Sequence, residues 1–148
     1  MNSNFTIKNF RAFNNDGADI EIRPITVLTG CNSSGKSSFV KALLLLNEIF
    51  RKNNRDNVLM NTKLDFTSET LSMLGDYSTI HNEEAAKQGN DIEISYDVIS
   101  AVLLGKYNIT MSFCPTSNDR INNGHVKDVV IKDDKSNLIW GIRNSDEQ

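Results

Sequence analysis

Between Gly30 and Ser37 the chain reads GCNSSGKS, with a lysine and a serine directly after the second glycine. These residue types at this spacing suit one task, the holding of a polyphosphate. A loop wound so that successive backbone N–H groups converge supplies several donors without using side chains. Gly30 permits the tight turn out of the preceding segment, and Gly35 leaves room for a phosphate to approach the backbone. In the phosphate-loop pattern G-x-x-x-x-G-K-[ST], Lys36 carries its charge to the β- and γ-phosphates and Ser37 offers its hydroxyl to the Mg²⁺ that bridges them.

The elements on either side must position that loop. Residues 25–29 (ITVLT) are apolar and β-branched with little alternation, which predicts a strand covered on both faces in the middle of an α/β sheet. Residues 39–46 (FVKALLLL), with Ile49 and Phe50, predict a helix whose first N–H groups and positive dipole end face the same anion. Four consecutive leucines exceed one stripe, so this helix expects burial around most of its circumference. Arg51, Lys52, Asn53 and Asn54 suit its C-terminal end.

Upstream, residues 5–13 (FTIKNFRAF) alternate as a strand, with Phe5, Ile7 and Asn9 on one face and Lys8 and Phe10 on the other. The run NNDG at residues 14–17 is a turn, and residues 18–23 return as the second strand of a hairpin. Downstream, residues 67–74 (TSETLSML) predict a short helix ended by Gly75 and Asp76, and residues 81–90 (HNEEAAKQGN) read as a solvated loop that accounts for Glu83 and Glu84. Residues 91–100, 106–113, 126–132 and 138–143 predict strands joined by hairpins.

With 148 residues the chain fits one domain, and its net charge of -3 gives no global reason to bind nucleic acid. No apolar run approaches a membrane span and the polar start lacks a signal-peptide core, so a cytoplasmic setting with no membrane partner is expected. Cys31 and Cys114 form neither a metal-ligand cluster nor a disulfide framework. Cys31 lies inside the loop and reads as a tolerated small residue rather than a redox group.

Residues 7–13 and 30–38, about twenty residues apart, together with the hairpin and the β-rich second half, resemble the N-terminal part of an ABC-type AAA family ATPase. The similar group is RecF/Rad50/SMC-like and includes the OLD-like ATPases of phage defence. Residues 74–82 (LGDYSTIHN) loosely resemble a segment of the OLD-like members. The resemblance implies an α/β fold, the N-terminal lobe of a P-loop NTPase (ABC-ATPase-like), with a mixed sheet and antiparallel hairpins around the loop strand and helix. It implies ATP and Mg²⁺ as cofactors, with Asn32, Ser33, Ser34, Gly35, Lys36, Ser37 and Ser38 wrapping the phosphates. Arg11 matches the arginine of the family's N-F-R segment and is implied to lie near them, against the plain reading of an exposed strand arginine. Where the family usually has proline, this chain has Cys31, which implies a slightly less rigid loop.

Hydrolysis in that group needs a second apolar strand ending in Asp-Glu and a signature loop given across a dimer. The nearest run is VVIKDD at residues 129–134, where Lys132 interrupts the apolar stretch and the acids read better as a hairpin turn. No signature-like run occurs, so no catalytic residue is assigned. No later βαβ pattern covers the loop strand and helix either. The expectation is therefore a nucleotide-binding lobe over residues 1–148, with a P-loop core at 1–52, a connecting segment at 53–90 and an antiparallel β segment at 91–143. It would bind ATP and hydrolyse it only with the missing C-terminal lobe or partner protein, as a homodimer in the complete protein. DNA repair or phage defence is the implied setting, with DNA an indirect partner. The alternative is a non-catalytic nucleotide-binding or protein-interaction module; the β-rich second half argues against a small nucleotide kinase.

Overall fold

The computed structural model describes residues 3–56, 63–64, 66, 72–102, 104–116 and 123–143. Among these residues seven strands, β1 (Ser3–Lys8), β2 (Ala18–Ile22), β3 (Lys63–Leu64), β4 (Ile92–Ser100), β5 (Gly105–Pro115), β6 (Gly124–Asp133) and β7 (Leu138–Arg143), form one sheet. Their order is β2-β1-β4-β5-β6-β3, with β7 also on β6, and every pairing is antiparallel. Among the described residues three helices accompany them: α1 (Lys36–Asp56), α2 (Tyr77–Ile80) and α3 (Glu83–Lys87).

The register lines up one apolar row across the sheet. Ile7 stands opposite Ile94, Ile94 opposite Met111 and Met111 opposite Val129. All four are buried, and α1 closes over this face with Phe39, Ala42, Leu45, Leu46 and Ile49. The rings of Phe5 and Phe39 meet edge to face with centroids 5.5 Å apart, tying β1 to the first turn of α1. A bulge between Ser112 and Phe113 lets one extra residue of β6 through. Val126 and Val129 therefore both reach the core although they are three apart, which strict alternation forbids.

Several expectations are corrected. The sheet is antiparallel among the described residues rather than mixed, and residues 25–29 do not form a strand. A strand needs a ladder partner, and no described residue offers one to this segment; Ile25 and Val27 are 84% and 75% exposed. Helix α1 is likewise not buried all round, because Val40, Leu43 and Phe50 are exposed. Strand β1 stops at Lys8, since Asn9 has φ +60°, and this turn returns Phe10 to the core beside Asn9 instead of to the opposite face. Residues 81–90 contain α3, capped by the Asn82 side chain accepting from the Ala85 N–H and anchored by buried Ala85. The helix expected at residues 67–74 falls largely outside the described residues.

At the far edge of β4, Asp97 joins three neighbours: the Lys106 ammonium at 2.8 Å, the Asn4 N–H at 2.9 Å and the Asn108 amide at 3.1 Å. Burial alone would raise this carboxyl; the hydrogen bonds from Lys106, Asn108 and Asn4, with the Lys106 charge, outweigh it and hold the group below the usual range. A lowered folded value stabilises the fold above the unfolded pKa of about 4 and loses that contribution as pH falls through the folded value. Asp97→Asn should flatten the acid limb of melting temperature against pH. An unchanged slope in a thermal scan between pH 2 and 6 would count against this role.

Candidate functional site

The loop before α1 turns on residues in the left-handed region. Gly30 has φ +146°, Ser33 φ +65° and Gly35 φ +93°. A Cβ on Gly35 would lie 2.9 Å from the Phe13 ring, so glycine is required there by a packed aromatic as well as by conformation. The sequence offered only phosphate approach as the reason. Lys36 folds back over the loop: its ammonium donates to the Gly30 carbonyl at 2.8 Å, the Cys31 carbonyl at 2.5 Å and the Ser34 hydroxyl at 3.3 Å. Helix α1 begins at Lys36, and the Phe39 N–H donates to the Gly35 carbonyl at 2.9 Å. Asn32, Ser33, Ser34 and Ser37 are exposed, while Gly35 and Ser38 are buried.

Arg11 is not on a strand. It has φ +51° in the turn that follows β1, and residues 74–82 clasp that turn. The Arg11 N–H donates to the Ile80 carbonyl at 2.7 Å, its guanidinium donates to the Leu74 carbonyl at 3.2 Å, and the Asn82 amide donates to the Arg11 carbonyl at 2.8 Å. The Asn82 N–H also reaches the Asn9 carbonyl at 2.9 Å. The segment LGDYSTIHN, only a loose resemblance in the sequence, is thus what fixes the arginine. Buried Tyr77 anchors it to the sheet, its hydroxyl donating to the Phe113 carbonyl at 2.6 Å. Burial raises the Tyr77 phenol well above its ordinary value, with the charges of Asp91 and Cys114 adding to the effect.

Both segments line one cavity of about 560 Å³, with Arg11, Ala12, Ser33, Gly35, Ser37 and Ser38 joined there by Ser78, Thr79, His81 and Glu83. Such a volume is within the range of about 300–1,000 Å³ for small-molecule sites. On the opposite flank of the loop a smaller hollow is mainly apolar, with Phe13, Ile20, Val27, Leu28 and Phe39 around Lys36. A family model for the AAA ATPase domain matches residues 1–141. The chain belongs to the AAA ATPase domain family. No curated protein and no solved structure matches it.

In this AAA ATPase domain, Arg11, Ser33, Gly35, Ser37 and Ser38 are brought together on the larger cavity, and Ser34, Gly35 and Lys36 on the apolar hollow. The acids at residues 133–134 are elsewhere. Asp133 closes the β6–β7 hairpin, accepting from the Lys135 and Asn137 N–H groups at 2.9 Å and 2.8 Å and from the Asn137 amide at 2.9 Å. The Asn137 side chain is the main reason its carboxyl lies below the ordinary value. Ser78, Thr79 and His81 were not legible as site residues, because their approach to the loop depends on the clasp around Arg11. No helix among the described residues is long and apolar enough to cross a membrane, and no group of three or more metal-ligating side chains occurs among them.

Proposed function

We propose that the chain binds Mg-ATP through a Walker A loop at Gly30 to Ser38, as the nucleotide-binding lobe of an ABC-type ATPase of the RecF/Rad50/SMC-like, OLD-like group. The observation that carries this reading is the preformed loop: three residues at positive φ, a lysine bent over the loop carbonyls, and a 21-residue helix starting at that lysine. Its N–H groups and its dipole favour an anion at that end, and Lys36, here bent over the loop carbonyls on the apolar flank, would bring its charge to the phosphates by exchanging those carbonyls for them. Arg11, held by residues 74–82, adds a guanidinium to the wall that Ser37 shares.

Mg²⁺ fits this donor set. It keeps several waters and takes most of its other ligands from substrate phosphates, so a single exposed hydroxyl, Ser37, is enough protein contribution. When bound, it neutralises charge on the β- and γ-phosphates. The chain's own residues bind and orient the polyphosphate, and none of the acids at the hairpin turn faces the cavity. Activation of the attacking water falls to a second lobe and a dimer partner. The exposed Ile25, Val27, Val40 and Leu43 support that arrangement, since they offer apolar surface where a parallel strand and its cover would sit. A cytoplasmic role in DNA repair or phage defence follows from the group rather than from the geometry. The same apolar face suits a non-catalytic docking module, and nucleotide binding without turnover in the complemented assembly would favour that.

Calorimetric titration tests the binding reading. Saturable uptake of Mg-ATP, competed by inorganic tripolyphosphate, is the expected result. Uptake that tripolyphosphate cannot displace would overturn a phosphate-centred site.

A further inference from the structure

The turn between β1 and β2 holds two residues in the left-handed region that are not glycine, Asn9 with φ +60° and Arg11 with φ +51°. Asparagine enters that region readily, whereas arginine stays there only where the surrounding contacts over-determine it. Those contacts come from residues 74–82. The Leu74 and Ile80 carbonyls accept from the Arg11 guanidinium and backbone N–H, and any residue at those two positions offers a carbonyl. Asn82 differs, because its side chain takes part. Its backbone N–H donates to the Asn9 carbonyl at 2.9 Å and its amide nitrogen to the Arg11 carbonyl at 2.8 Å, so one residue ties down the carbonyls of both left-handed residues. Its amide oxygen accepts from the Ala85 N–H at 3.1 Å and caps α3. Each end of the amide meets a partner of the right sense, which fixes the orientation of the side chain.

Resting on the phosphate-binding reading above, we infer that Asn82 is a positioning residue for Arg11. It holds the arginine in its left-handed conformation, and that conformation keeps the guanidinium on the cavity that Ser37 and Ser38 also line. The Nη1 atom of Arg11 donates to the Leu74 carbonyl at 3.2 Å; the other N–H groups of the fork bond no described residue and are what a phosphate takes. Without the Asn82 amide the Arg11 carbonyl loses its partner, the turn relaxes toward negative φ, and the guanidinium moves with it. Because the same amide caps α3, the ordering of that helix and the placing of Arg11 are coupled.

A double-mutant cycle tests this, with inorganic tripolyphosphate and Mg²⁺ titrated calorimetrically into the parent chain, Asn82→Ser, Arg11→Ala and the double variant. Serine caps a helix as well as asparagine does and is neutral, and its single oxygen, placed at the cap, stops short of the Arg11 carbonyl. Asn82→Ser should weaken tripolyphosphate by about fivefold to tenfold, and Arg11→Ala by about tenfold or more. In the Arg11→Ala background Asn82→Ser should cost less than about twofold, since a residue that acts through another then has nothing to act on. A merely structural role would give the same loss in both backgrounds. That additive result, or Asn82→Ser within about twofold of the parent, would overturn the inference, as would an Arg11→Ala variant that binds like the parent. Should Asn82→Ser not fold, Asn82→Asp takes its place, because it keeps the shape and the cap oxygen and lacks the donor; its charge adds a loss common to both backgrounds, so the coupling is read from the non-additive part. A parent chain that binds no tripolyphosphate would strike the phosphate-loop reading itself, and the positioning role with it.

Discussion

Lys36→Ala is expected to weaken Mg-ATP binding by about a hundredfold while moving the melting temperature by no more than a few degrees. The ammonium is a full charge in direct contact with the loop, and it already bridges Gly30 and Cys31 through their carbonyls. A hydrogen bond to a charged group contributes about 1.5–3 kcal/mol, and a hundredfold change in Kd is about 2.7 kcal/mol. The upper end of that range applies because the substitution removes two things together. One is the contact to phosphate; the other is the tie that holds residues 30 and 31 toward the start of α1 before any ligand arrives, so the variant must order its loop on binding. Stability should hardly move, since Lys36 lies outside the buried cluster. Calorimetry on both proteins decides it, and a Kd changed by less than about threefold would remove the lysine from the site.

What the sequence made legible and what it hid divide along one physical line. Local features were readable: the turn at residues 14–17, and the alternation that places β4 through β7, with β7 matching residues 138–143 throughout. Features that depend on what packs against a segment were not. Residues 25–29 have the composition of a central strand, but a ladder needs a neighbour and the described chain provides none. The bulge that admits both Val126 and Val129 to the core reflects a register shift, which alternation alone does not encode. Half of the cavity escaped for the same reason. Ser78, Thr79 and His81 are ordinary polar residues until Asn82 and Ile80 bind the turn around Arg11.

Phe10→Ala should cost about 3–5 kcal/mol of unfolding free energy, the usual range for truncating a fully enclosed phenylalanine. Phe10 is 0% exposed, although the alternation of β1 assigns it to the face opposite Ile7. The left-handed residues Asn9 and Arg11 on either side turn the chain so that its ring enters the core. Had the strand run straight through to Phe13 with that side chain outward, the substitution would cost within about 0.5 kcal/mol, so denaturant unfolding separates the two geometries by several kcal/mol. Phe10→Leu, which restores much of the volume, should recover most of the loss. A second readout follows from position. Phe10 pairs through its backbone with Phe13 and His81, so loosening its buried side chain would disturb the turn that carries Arg11, the aromatic that packs on Gly35, and one further residue of the cavity. Phe10→Ala should therefore also weaken Mg-ATP under conditions where the variant is fully folded, and the Phe10→Leu variant should restore binding in step with stability. Full affinity in a destabilised Phe10→Ala protein would mean that the Arg11 turn is held by the clasp of residues 74–82 alone.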